Sequence, residues 1–207
     1  MTLGIILNLH PKWMGGNIYV MNVVKILNWL DDDDKPKVKL FYRKDLKRFA
    51  DEINYPYLEK IETDFPSTNY GYVKSWFTRK NEFVQHILAQ HKLNAVFPLR
   101  EFPLKSKENV RLVSWYADLQ YKYYPEFFTK KRLLERDLKV KSILSNCNHL
   151  VVSSQSVYDD FKKFFKIKKD MQMLIFKFAS VIDCFDFSSI ETIKKKLKLP
   201  SNYFIVS

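Results

Sequence analysis

A set of short apolar runs that barely alternate in polarity constrains this chain most. Gly4–Leu9 reads GIILNL, Asn94–Leu99 NAVFPL, Arg111–Tyr116 RLVSWY and His149–Ser153 HLVVS, with VKLFY at Val38–Tyr42. A strand with one wetted face alternates apolar and polar residues. A run that stays apolar is buried on both faces, as in a parallel sheet covered by helices. The segments between the runs have helical spacing. Ile18–Leu30 carries Ile18, Met21, Val24, Leu27 and Leu30 on one face, with Asn17 placed as N-cap. Lys44–Ile53, Val73–His91, the basic Lys130–Ser145 and a helix capped by Ser154 and running through Phe165 follow the same pattern. Leu58–Ile61 reads as a short strand, Phe65–Gly71 as a loop and Met171–Phe178 as a further strand. Alternating strands and helices predict an α/β fold: an open parallel sheet with helices on both faces.

Right-handed crossovers line the strand C-termini along one edge, and ligands of open α/β sheets bind there. Three loops are sent to that edge. His10–Asn17, HPKWMGGN, holds Gly15 and Gly16, two of the four glycines. Glycine lets a ligand approach the backbone, and the following helix N-terminus favours an anion such as phosphate. A tight turn has the same composition. The pattern is neither GxGxxG nor GxxxxGK[ST], so no dinucleotide cofactor and no P-loop are indicated. Asp118 follows Arg111–Tyr116 inside SWYADLQYKYYPEFF, Ser114–Phe128. A carboxylate there can orient or deprotonate a sugar hydroxyl, or stabilise developing positive charge. It can equally be a turn carboxylate. Ser153 and Ser154 end the third strand of this group, and His10 lies just past the first. His86 and His91 fall on a helix away from the edge, and His149 at the opposite end of the sheet. No Ser/His/Asp or Cys/His arrangement stands out.

Around Asp118, Tyr116, Tyr121, Tyr123, Tyr124, Phe127 and Phe128 interleave with Lys122 and Glu126. Such rings stack on sugars, sit at membrane interfaces or build cores. Beside Lys130, Lys131 and Arg132 they can also bind single strands, but no RRM, KH or helix-turn-helix signature accompanies them, and no nucleic-acid partner is expected. The net charge is +12, and residues 121–200 hold 17 Lys/Arg against 9 Asp/Glu. A solubilising surface, an anionic membrane face, a phosphorylated substrate and nucleic acid all accommodate that charge. No apolar run approaches the roughly 18 residues of a membrane span. The N-terminus lacks the basic region and cleavage site of a signal peptide. A cytoplasmic location is the expectation, with peripheral contact at the inner membrane face as one reading of the basic charge. Cys147 and Cys184 form no CxxC pattern, and Asp31–Asp34 lacks the spacing and glycine of a calcium loop, so no metal is expected.

GIILNLHPKWMGGNIYVMNVVKIL resembles the opening strand, glycine loop and first helix of family-4 retaining glycosyltransferases of the GT-B fold. SWYADLQYKYYPEFFTKKRLLERD, with VVSSQSVYDDF from Val151, is similar to the acceptor-domain signature of their bacterial members, and LPSNYFIVS looks like the start of their donor domain. The resemblance implies a Rossmann-like, acceptor-side domain over 1–185, with 186–207 as a linker helix and first strand of a donor domain. It implies transfer of a sugar from a nucleotide-sugar co-substrate to a glycan or lipid-linked acceptor in surface polysaccharide synthesis, with configuration retained and no bound cofactor or obligatory metal. Gly15 and Gly16 would lie beside the donor phosphates. Asp118 would face the reacting sugars, with Gln120 and Lys122 nearby and His10, Ser153 and Ser154 along the same wall. Arg136 and Asp137 match the family's R-D pair, in a structural role. Tyr121, counted among the donor- and acceptor-binding residues of that wall, stands where many relatives carry His. The family's E-x7-E pair is absent, since no two glutamates lie eight positions apart. Nucleotide binding by this chain alone is therefore expected to be weak, and a separate donor-domain chain is an implied partner. A non-catalytic glycan- or partner-binding module and a basic nucleic-acid-binding protein are the alternatives.

Overall fold

The computed structural model describes residues 1–78, 80–99, 110–181 and 190–200. Seven strands, β1 (Thr2–Leu7), β2 (Lys37–Tyr42), β3 (Leu58–Glu62), β4 (Ala95–Leu99), β5 (Arg111–Tyr116), β6 (His149–Val152) and β7 (Gln172–Ile175), form one sheet. Their order is β3-β2-β1-β4-β5-β6-β7, and every pairing is parallel. The helices are α1 (Met14–Lys25), α2 (Lys47–Asp51), α3 (Thr68–Thr78), α4 (Glu82–Leu88), α5 (Lys130–Asn146), α6 (Gln155–Phe164) and α7 (Ile190–Leu197). This is the Rossmann-like α/β arrangement, with its order reversing between β1 and β4. Among the described residues no helix is long and apolar enough to cross a membrane.

Alternate residues of each strand serve opposite faces, so both faces need apolar side chains. On one face Ile5, Leu7, Val38, Leu40, Trp115 and Val151 pack with Tyr19, Val20 and Val24 of α1 and Phe49 of α2. On the other, Ile6, Phe41 and Val96 meet Phe83, Val84 and Ile87 of α4. There too Tyr116, Leu150 and Val152 meet α5 and α6 through Val140, Ile143, Leu144, Val157 and Phe161. The β4–β5 register shifts between Val96 and Leu99, where Pro98 has no N–H for the ladder. Past β7 the chain turns back over α1. The Tyr19 hydroxyl donates to the Phe176 carbonyl at 2.9 Å, the Asn22 amide to the Ala179 carbonyl at 2.6 Å, and the Phe178 ring meets the Tyr19 ring at 4.7 Å.

Several boundaries differ from expectation for local reasons. The predicted helix Val73–His91 is two helices, because Asn81 caps α4: it is buried, and its Oδ1 accepts the Phe83 N–H at 3.1 Å. The apolar periodicity continues across that break and hides it. Thr68–Gly71, expected in a loop, forms the first turn of α3. Asn17 is not an N-cap: α1 starts at Met14, and the Asn17 amide donates to the His10 and Trp13 carbonyls at 3.1 and 3.0 Å. The first helix ends as an α-helix at Lys25 and tightens to a 3₁₀ turn over Ile26–Trp29. α7 falls within the expected linker helix, whereas Cys184 and residues 201–207, which hold the YFIV segment of the expected donor-domain strand, lie outside the described residues.

Candidate functional site at the carboxyl edge of the sheet

The parallel sheet brings the ends of β1, β5 and β6 to one edge, and two contacts bind them there. The Trp13 ring, just before α1, stacks on Trp115 of β5 with centroids 5.6 Å apart and planes within 8°. The Ser153 hydroxyl, just past β6, donates to the Ala117 carbonyl at 2.7 Å. The expected gathering of the glycine pair, Asp118 and the Ser153-Ser154 dipeptide at one edge is present.

At the start of α1 no side chain caps the first turn, and no acidic residue lies in it. The early N–H groups of such a helix are donors in search of an acceptor, and the positive end of its dipole suits an anion. The two glycines differ in kind. Gly15 is exposed, and a Cβ added there would meet no atom within 4 Å. Gly16 is buried, and its Cβ would fall 2.5 Å from the Trp13 ring, itself pinned against Trp115. Gly16 thus belongs to packing, and Gly15 alone leaves the backbone open to a ligand. Gly16→Ala should destabilise the fold by about 1–3 kcal/mol through overpacking, while Gly15→Ala should be neutral or stabilise by up to about 1 kcal/mol. Urea unfolding of the two variants tests this contrast. Exposed His10 lies on the same loop: its Nδ1 faces the Lys12 N–H at 3.2 Å, and its carbonyl accepts the Trp13 N–H at 2.8 Å.

Asp118 is exposed, and its Oδ1 accepts the Gln120 N–H at 3.2 Å, starting a 3₁₀ turn over Gln120–Lys122. It is a turn carboxylate whose remaining lone pairs face solvent at the edge. Gln120 is exposed beside it.

The next two positions are both tied to α5, and Tyr121 is not on the wall where it was expected. Tyr121 points into the core, 2% exposed, and its hydroxyl donates to Asp137 Oδ1 at 2.7 Å. Burial first, and then that carboxylate, push the hydroxyl well above the ordinary tyrosine value, so it stays protonated. Lys122 is half-buried, ion-paired to Asp137 at 2.7 Å and set over the Tyr121 and Phe165 rings at 5.2 and 5.1 Å. Partial burial works to raise the Asp137 carboxyl, but hydrogen bonds from Lys122 and Tyr121 outweigh it and hold the group below the usual carboxylate value. Arg136 lies 4.8 Å over the Phe128 ring and 5.6 Å over Tyr121. The Arg136-Asp137 pair thus clamps the segment after Asp118 onto α5. Ser154, expected along the site, is the N-cap of α6, its Oγ accepting the Val157 N–H at 3.2 Å. Ser153 braces the residue before Asp118, as given above.

One recess escaped the sequence. Ile6, Asn8, Leu9, Phe65, Phe83, Pro98 and Leu99 line a hollow where β1 and β4 separate. Only the strand order makes these distant stretches neighbours. Among the described residues no group of three or more His, Cys, Asp or Glu is placed to hold a metal ion.

No family model matches the chain, and no curated protein matches it. Among solved structures it is similar over 95% of its length to 97% of a chain described as sucrose-phosphate synthase from Thermosynechococcus elongatus, at 14% identity and a TM-score of 0.47. Similarity at that level leaves the functional reading to the residues themselves.

Proposed function

We propose that the chain is the acceptor-side domain of a glycosyltransferase that moves a sugar from a nucleotide-sugar to a glycan or lipid-linked acceptor. The observation that carries the reading is one edge holding both an uncapped helix N-terminus, opened by Gly15, and an exposed carboxylate, Asp118, tied together by the Trp13–Trp115 stack. The first suits the phosphates of a nucleotide donor. The second suits a sugar hydroxyl or the positive charge that develops when a glycosidic bond breaks. The likeness of the Ser114–Phe128 stretch to family-4 retaining enzymes supports the same assignment. A donor domain, on this chain's continuation or on a separate chain, forms the opposite wall. Surface polysaccharide synthesis at the cytoplasmic face of a membrane is the setting this reading implies.

Amide NMR during titration with UDP-glucose and GDP-mannose tests it. Shifts should centre on Met14–Gly16 and Asp118–Gln120 and should vanish in Gly15→Leu, whose side chain enters open space and leaves the fold intact. Shifts scattered over surface lysines, or unchanged by Gly15→Leu, would remove the donor site.

A further inference from the structure

Helix α3 is amphipathic in the opposite sense to a helix packed on a sheet. Its small residues face inward. Gly71 is buried against Phe83, where an added Cβ would come within 2.8 Å of the ring. The Ser75 hydroxyl, fully buried, accepts the Glu82 N–H at 3.0 Å. Its large residues face out: Tyr70 is 61% exposed, Tyr72 41%, Val73 54%, Trp76 66% and Phe77 73%. At about 100° per residue these positions share one arc, opposite Gly71 and Ser75. A continuous aromatic face on a small domain marks a contact surface.

The helix and its flanks are basic in sequence, with Glu82 of α4 as an acidic neighbour. From Phe65 to Asn81 the sequence carries Lys74, Arg79 and Lys80 and no Asp or Glu, within a chain of net charge +12. Lys74 lies 5.8 Å over the Tyr70 ring and pairs with Glu82, at the start of α4, at 3.0 Å; Lys80 is exposed. Tryptophan and tyrosine favour the boundary between headgroups and acyl chains, and Lys/Arg at the margin of an apolar helix face adds attraction to anionic lipid.

We propose that α3 docks the protein on an anionic bilayer, lying in the headgroup region with Val73, Trp76 and Phe77 inserted and Tyr70 and Tyr72 at headgroup level. This inference stands independently of the sugar-transfer reading. Sedimentation with phosphatidylcholine vesicles, with and without phosphatidylglycerol, tests it. The protein should pellet only with the anionic vesicles, and Trp76→Ser/Phe77→Ser should weaken partitioning about tenfold or more. Both residues are exposed, so circular dichroism of the variant should match the parent. Brominated lipid should quench the fluorescence of the parent and of Trp29→Phe, but much less that of Trp76→Phe. Three results overturn the proposal: equal partitioning of the double variant, equal binding to neutral and anionic vesicles, or no vesicle binding together with self-association that the double variant loses. The last would assign the face to a second copy of the chain.

Discussion

Trp115→Ala is expected to lower stability by about 3–5 kcal/mol, the usual cost of truncating a fully buried Trp. Trp115 has 0% exposure and stacks with two near-parallel rings, Trp13 at 5.6 Å and Tyr19 at 4.4 Å. The rings belong to β5, to the loop before α1 and to α1 itself, so little of the cavity can close without moving the helix. For a chain of this length the loss corresponds to a melting point lower by about 6–20 °C. Trp115→Phe keeps a ring in the stack and should cost much less. The substitution also reaches the site, because Trp13 rests on Trp115 and precedes the open first turn of α1. Amide resonances of Gly15 and Gly16 should therefore shift in Trp115→Ala under conditions where the protein remains folded. A loss below about 1 kcal/mol would mean that the stack contributes no more than a surface contact.

The strands were legible in the sequence because a doubly covered parallel strand leaves a continuous apolar run, and β5 matches its predicted span, Arg111–Tyr116, at both ends. The shared edge was legible because parallel strands align their ends. Side-chain direction within short irregular turns was not. Tyr121, Tyr123 and Tyr124 look alike in the sequence, yet the 3₁₀ turn sends Tyr121 into the core and leaves the other two exposed. Gly15 and Gly16 are likewise indistinguishable until Trp13 is placed against only one of them. The α3 face was hidden because apolar periodicity reports which residues share an arc and not whether that arc turns inward. Gly71 and Ser75, which decide the matter, are the residues a hydrophobic pattern ignores.

Asp118 presents the sharpest choice between architecture and chemistry, since its carboxylate already has one structural duty. Asp118→Asn keeps an Oδ1 to accept the Gln120 N–H and removes only the charge. Asp118→Ala removes both, and losing the turn bond should cost about 0.5–1.5 kcal/mol. If Asp118 acts on the reacting sugars, as the proposed function holds, transfer from a labelled nucleotide-sugar, measured with this chain together with a candidate donor-domain chain, should fall about 10²–10⁴-fold in both variants. Only Asp118→Ala should then unfold at lower urea. If Asp118 is a turn residue alone, Asn should transfer at the parental rate, and the Ala defect should track its lost stability. The loss for Asn should appear mainly in kcat, because a carboxylate that answers charge developing during bond cleavage contributes more to the transition state than to the bound ground state. A rise confined to KM would instead make Asp118 a binding group for an acceptor hydroxyl, leaving the charge of the transition state to groups on the opposite wall.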